Sequence, residues 1–427
     1  MANASAPLLG LADTAVIGRT GSVEALGAIA LGSLIFSFVY WSFGFLRMTT
    51  TGFVAQADGA GEENAVRLCL GRALCLGATF GIGLLLLQAP IHGAAFWLLD
   101  GSAEVEAQAQ VYFQYRIWGA PAALATYAIT GTLIGLERSR MLLALQVLIN
   151  GLNIALDVYL AGYLGLGVRG IALGTAVAEW VGLLAGGAML WLLFKGRAAT
   201  RLDWKELFDT EALRGLFGAQ LDILIRTLFL LAGFAWFTNQ GARFGDTTLA
   251  ANHVLLQLVS FSAFVLDGFA FATESLVGRA QGQKDRGLFD RAVRLTWELA
   301  VISAMLLSMS VALGGGAAVR ALTDLAEVRQ ASDQFLPYAA VYILLSVGAF
   351  QLDGIFIGTT RTKAMRNASI ASFAGFLGLS LILTPFYLNQ GLWVSFVGYV
   401  VLRAACLGVQ MPALRGTIGN RAEGAKI

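Results

Sequence analysis

Ile134-Gly135-Leu136-Glu137-Arg138 returns 223 residues later as Ile357-Gly358-Thr359-Thr360-Arg361, and the same offset carries Val54-x-x-Ala57-x-Gly59 onto Val277-x-x-Ala280-x-Gly282. Both matches include polar loop positions, so the chain reads as a duplicated unit. Working outward from these motifs, long apolar stretches alternate with short polar ones. A helix needs about 20 apolar residues to cross the hydrocarbon core of a bilayer. Twelve stretches of that order occur, near 2–18, 25–56, 66–97, 106–136, 141–162 and 169–194, then 213–240, 248–280, 291–313, 331–359, 367–388 and 392–414. Backbone groups in lipid must be satisfied within their own segment, so each stretch is expected to be helical. The expected fold is therefore all-α, a polytopic membrane protein of twelve transmembrane helices in two six-helix lobes. Six is even, so both units enter the membrane in the same direction and an axis along the membrane normal can relate them, as in transporters that alternate access around a central cleft.

Composition supports that reading and excludes others. The 427 residues are 57% hydrophobic and only 13% charged, where about 25% charged is usual for a soluble protein. Abundant glycine suits helices that approach closely in a membrane. A net charge of +2 without a basic, aromatic-studded stripe gives no expectation of nucleic-acid binding. Cys69, Cys75 and Cys406 form no CxxC pair, and His92 and His253 lack metal-ligand spacing. Gly314-Gly315-Gly316 lacks the lysine and hydroxyl of a phosphate-binding loop. No cofactor, directly bound ATP or enzymatic chemistry is expected.

Basic residues favour the cytoplasmic side of short loops. One set of alternate loops and ends, with Arg67, Arg138, Arg140, Lys195, Lys205, Lys284, Arg361 and Arg366 among others, carries about 20 Lys and Arg; the other carries about five. Both termini are thus expected on the cytoplasmic side. The expected division is a first lobe over 1–194, a cytoplasmic linker over 195–213, a second lobe over 214–414 and a cytoplasmic tail over 415–427. Residues 202–208 read as an amphipathic stretch lying along the inner interface with its apolar side toward lipid.

An ionisable residue inside a span needs a partner, a watery cavity or a task. On the fifth span Gln146, Asn150, Asn153 and Asp157 are spaced by four, three and four residues, which puts them on one helix face. Asp13 stands in the first span, and Thr175 and Glu179 stand one turn apart in the sixth. Carboxylates, carboxamide oxygens and a hydroxyl suit a hard cation such as sodium, and the same carboxylates can carry protons. The second half holds a different set: Asp222 and Arg226, Asp267 and Glu274, and Asp353. Asp222 and Arg226 are four apart and read as an ion pair along one helix. That leaves more acids than Arg226 can neutralise, so at least one is expected to be protonated, hydrated or beside a cation path.

At these residues the sequence resembles the multidrug and toxic compound extrusion (MATE) family, and within it the DinF-type, DNA-damage-inducible branch. The resemblance runs through Pro7-Leu8-Leu9-Gly10-Leu11-Ala12-Asp13-Thr14-Ala15-Val16-Ile17-Gly18, Phe45-Leu46-Arg47-Met48-Thr49-Thr50-Thr51-Gly52 and Asn153-Ile154-Ala155-Leu156-Asp157. It continues in Leu266-Asp267-Gly268-Phe269-Ala270 and Leu352-Asp353-Gly354-Ile355-Phe356-Ile357-Gly358. It implies an inner-membrane antiporter that extrudes drugs or toxic organic compounds against protons, sodium ions or both. It also implies that Asp13 is the central coupling residue, with Asn153, Asp157 and Thr175 completing a first-lobe cation site. Gln146, Asn150 and Glu179 are candidate polar lining of the first lobe, and Asp222, Arg226, Asp267, Glu274 and Asp353 a candidate acid network of the second. The expected partners are a small organic substrate and membrane lipid, and the expected state is a monomer.

Under the offset of 223, Met1 corresponds to Leu224, so the first span lacks about ten residues present in its counterpart, and either a natural start upstream or a truncation of this chain is expected. A flippase for lipid-linked saccharides is the alternative function, kept open by Arg47, Arg116, Arg226 and Arg403. Such a protein should gather unpaired arginines around an anionic phosphate.

Overall fold

Apolar runs closed by polar caps fold as helices, and no strand occurs among the described residues, which are 22–98, 102–195 and 204–419 of a computed structural model. The expected first span, and with it Asp13, lies outside them. The chain forms two compact units, Met1–Leu216 and Phe217–Ile427. In the first unit the helices are α1 (Val23–Ser42), α2 (Phe45–Ala60), α3 (Glu63–Leu86), α4 (Gln88–Leu98), α5 (Ala103–Arg116), α6 (Ala120–Gly135), α7 (Ser139–Asp157), α8 (Gly167–Lys195) and the single turn α9 (Trp204–Leu207). There follow α10 (Thr210–Ala242), which runs into the second unit, α11 (Asp246–Gly282), α12 (Arg286–Leu322), α13 (Ala326–Gly358), α14 (Thr362–Gly408) and the short α15 (Met411–Gly416).

Among the described residues ten helical stretches are long and apolar enough to cross a membrane, and the last, Thr362–Gly416, is two spans in one. Leu388 breaks α14 with φ 48° and ψ −128°. Beyond it the chain doubles back. A Cβ on Gly391 would lie 2.5 Å from the Leu383 carbonyl oxygen, one on Gly398 2.9 Å from Leu379, and one on Gly375 2.6 Å from Leu402. These contacts pair earlier with later residues in antiparallel order. A single residue turns the chain, and the described residues hold eleven of the twelve expected spans.

The duplication is written into the backbone. Helices begin at Val23 and Asp246, Glu63 and Arg286, Ala103 and Ala326, Ser139 and Thr362, each pair 223 apart. Positive φ recurs at Gly61 and Lys284, Glu137 and Thr360, and Gly165 and Leu388, again 223 apart. Helix contacts repeat as well: a Cβ on Gly131 would fall 2.6 Å from the Arg47 carbonyl, and one on Gly354 2.7 Å from that of Ala270.

Three expectations need correction. The second, third and fourth spans are not continuous, because α1 and α2 are separated at Phe43 and Gly44, α3 and α4 at Leu87, and α5 and α6 by the tight turn Ile117–Gly119. Pro121 opens α6, where its missing N–H costs nothing. The twelfth span divides near its end, α14 closing at Gly408 and the short α15 carrying the helical stretch on to Gly416. The apolar side of the linker stretch does not all face lipid: Leu207 is buried and sits where a Cβ on Gly71 would be only 2.8 Å away. Arg72 fixes it there by donating to the carbonyls of Leu207 at 3.1 Å and Glu206 at 2.5 Å, the open end of the α9 turn.

Each unit has its own apolar core. In the first, Val54, Val66, Ile129, Leu133, Leu145 and Leu190 pack together. In the second, the core is aromatic, built on Phe237, Phe376, Trp393, Phe396 and Tyr399.

Candidate functional site

α7 meets α8 in antiparallel contact, and the polar face of α7 turns inward at its far end. A Cβ on Gly174 would lie 2.6 Å from Asp157 Oδ1, so the carboxylate rests directly on the α8 backbone. Asn153 and Asp157 are wholly buried and Thr175 nearly so. The Asn153 amide that satisfies both of its ends donates from Nδ2 to Asp157 Oδ2 at 3.2 Å, while its Oδ1 lies 3.1 Å from the Thr175 N–H and 2.9 Å from Thr175 Oγ1. Thr175 Oγ1 also reaches the Ile171 carbonyl at 2.9 Å. Immediately after Asp157 the helix widens into a π turn, Val158–Tyr163, a distortion common at functional sites. Carboxylate, carboxamide and hydroxyl oxygens thus converge inside a span.

The structure therefore brings together three of the four residues that the sequence grouped, while Asp13 is outside the described residues. Gln146 and Asn150 continue the same face of α7 toward Ser139, half-buried, and Asn150 Nδ2 has no hydrogen-bond partner among the described residues. Glu179 is not open lining. It forms a two-pronged ion pair with Arg116, at 2.6 and 2.7 Å. The Arg116 guanidinium also lies 5.1 Å from the Phe36 ring centre and 5.2 Å from that of Tyr40. Spans two, four and six are tied through one arginine.

In the second unit the expected pairing of Asp222 with Arg226 does not occur. Asp222 accepts from Arg366 at 2.7 Å and from Thr362 at 2.9 Å, both at the start of α14. Arg226 turns instead to Asp353 on α13, and Arg403, from the second arm of α14, reaches the same Oδ2 oxygen. All three are buried, and Asp267 lies close enough to act on Arg226 electrostatically. Glu274 is buried on α11, two turns beyond Asp267. Arg366 and Arg403, which the sequence count had left out, take Asp222 and share Asp353. Asp353 is held by two fixed cations.

Other polar groups were missed. Asn252 and Asn389 exchange hydrogen bonds at 2.8 and 3.0 Å, and Trp393 donates to Asn252 at 2.9 Å, just past the Leu388 turn. Gln220 on α10 is buried with neither end of its amide hydrogen-bonded among the described residues. Lone amides inside apolar spans were the available signal. Among the described residues no cluster of three or more His, Cys, Asp or Glu suits a metal ion.

The sequence profile of the MatE family matches residues 1–159 and 224–385, twice over and at the offset of the internal repeat. DNA damage-inducible protein F of Escherichia coli is 37% identical over 409 residues, covering 95% of this chain and 88% of its own. A probable multidrug resistance protein NorM of Synechococcus is 29% identical over 81% of this chain and 75% of its own. Among solved structures, a MATE in complex with MaL6 superposes with a TM-score of 0.87 at 19% identity, covering 97% of this chain and 94% of that one. At that identity the likeness is one of fold.

Proposed function

The chain belongs to the MatE family, and from that premise we propose that it exports small organic compounds in exchange for protons or sodium ions. It is an integral membrane transporter of a family of secondary antiporters, not of enzymes. The observation that carries the exchange mechanism is the buried meeting of Asn153, Asp157 and Thr175 within a span. The duplicated frame supports adding Asp13 to them. Its counterpart 223 residues on, Trp236, donates at 3.1 Å to Ser380, the counterpart of Asp157.

In this reading the cluster carries the coupling ion. Loading a proton or sodium ion neutralises the carboxylates, weakens the hold on a cationic or polar cargo and favours the other face of the transport cycle. By linkage a bound cargo lowers the affinity for the ion by the same factor. The chain acts as a monomer in the bacterial inner membrane with both termini in the cytoplasm, a placement supported by the loop charges. Antiport is favoured over flipping of lipid-linked saccharides because Arg116, Arg226 and Arg403 are each committed to a carboxylate and not gathered around an empty anion site.

The test is exchange of a cationic dye by the purified protein in liposomes, with proton and sodium gradients imposed separately. One of the two gradients should drive uptake or release at least tenfold above leak, and Asp157→Asn should abolish that drive while folded yield is kept. Dye movement that ignores both gradients in the parent protein would overturn the reading.

A further inference from the structure

We propose that Gln146 and Asn150 form one wall of a hydrated path along which the coupling ion passes between the Asn153, Asp157 and Thr175 cluster and the membrane face that carries Arg138 and Arg140. This rests on the reading of that cluster as the ion site. Three observations carry it. First, the polar face of α7 is one-sided. It runs from Asp157 back through Asn153, Asn150 and Gln146 toward Ser139, whereas the residues beyond Asp157, Val158-Tyr159-Leu160-Ala161-Gly162-Tyr163, offer only apolar and aromatic side chains. Gln146 lies about 16 Å from Asp157 along the helix at about 1.5 Å per residue, so the stripe reaches well toward that face.

Second, the opposite end of the seam is closed by backbone. A Cβ on Gly170 would fall 2.7 Å from the Ala161 N and 2.8 Å from the Leu160 carbonyl carbon, whereas toward Arg138 a Cβ on Gly182 would meet only the movable Ile149 side chain, at 2.6 Å. Third, Asn150 Nδ2 is buried without a hydrogen-bond partner among the described residues. A buried amide N–H left without an acceptor inside a span is unfavourable unless another state supplies one. Val147 and Leu148, on the outer side of the same helix, are exposed as lipid-facing residues are.

The experiment replaces Cys69, Cys75 and Cys406 by alanine and introduces Gln146→Cys, Asn150→Cys or Val147→Cys. Sealed vesicles of each orientation are treated with a cationic, membrane-impermeant methanethiosulfonate. Positions 146 and 150 should react at least tenfold faster from the Arg138 and Arg140 face than from the other, and position 147 slowly from both. Reaction only from the opposite face, or no faster than at 147, overturns the path. A second measurement uses Asn150→Leu. Removing the unpaired amide should raise the thermal unfolding midpoint while slowing ion-driven exchange at least tenfold, whereas a lowered midpoint with unchanged exchange assigns Asn150 to packing alone and overturns the proposal. Thiol modification needs no transport, so it and the Asp157→Asn experiment can fail separately.

Discussion

The two halves share a backbone and differ in what they place on it. Where the first half sets Asn153, Asp157 and Thr175 against one another, the second has Phe376, Ser380 and Gly398, and Phe376 is a fully buried part of the aromatic core. Where the second half locks Asp353 between Arg226 and Arg403, the first has Thr130 opposite Asp353 in the repeat and Trp180 opposite Arg403. Helix breaks follow the same division. Spans two, three and four are interrupted, while their counterparts α11, α12 and α13 run unbroken. The first half sets a carboxylate against neutral polar groups, and the second sets one between two arginines.

The strongest way to break this contrast is Asp353→Ala. It strands two buried guanidinium groups and should cost about 3–5 kcal/mol, seen as a collapse of folded yield or a large drop in the unfolding midpoint in detergent. If instead Asp353→Ala folds normally and only transport fails, the second half is not a fixed frame. Glu179→Gln removes one member of the first half's own ion pair and should cost about 2 kcal/mol by the same measurement. The double exchange Arg116→Glu with Glu179→Arg should recover part of it.

Gly174→Ala sharpens the comparison from the other side. A methyl group 2.6 Å from Asp157 Oδ1 must push the carboxylate away, so ion affinity should fall about tenfold, equivalent to about 1.4 kcal/mol, with little loss of stability. Measured ion affinity equal to the parent would show that Asp157 does not need its seat on α8. The smallest effect is expected at Leu388→Gly. Its counterpart Gly165 adopts positive φ freely, whereas Leu388 does so with a side chain, so the substitution should stabilise by about 1 kcal/mol.

Much of this was legible before the fold was seen. The repeat of Ile134-Gly135-x-x-Arg138 located the duplicated frame because chain reversals are fixed by backbone geometry at a few positions. The spacing of Asn153 and Asp157 found a buried face because helical periodicity is local. Partners across helices were not legible. Asp222 has an arginine one turn away in sequence, yet Arg366 takes it, and nothing in local spacing reports that Arg403 returns to Asp353 through the Leu388 reversal. The interruption at Leu87 is followed by Pro90 in the first turn of α4, as that at Ile117–Gly119 is followed by Pro121 in the first turn of α6.

The sharing of one Asp353 oxygen by two arginines also orders the chain's biogenesis. Spans enter the bilayer as they leave the ribosome, so Arg226 arrives first, Asp267 follows in the next span, and Asp353 comes two spans after that. That pair is then balanced. Arg403 comes in the final span, which therefore inserts against a carboxylate already in place, so the last helix to be made is the one whose seat has been prepared by all the others.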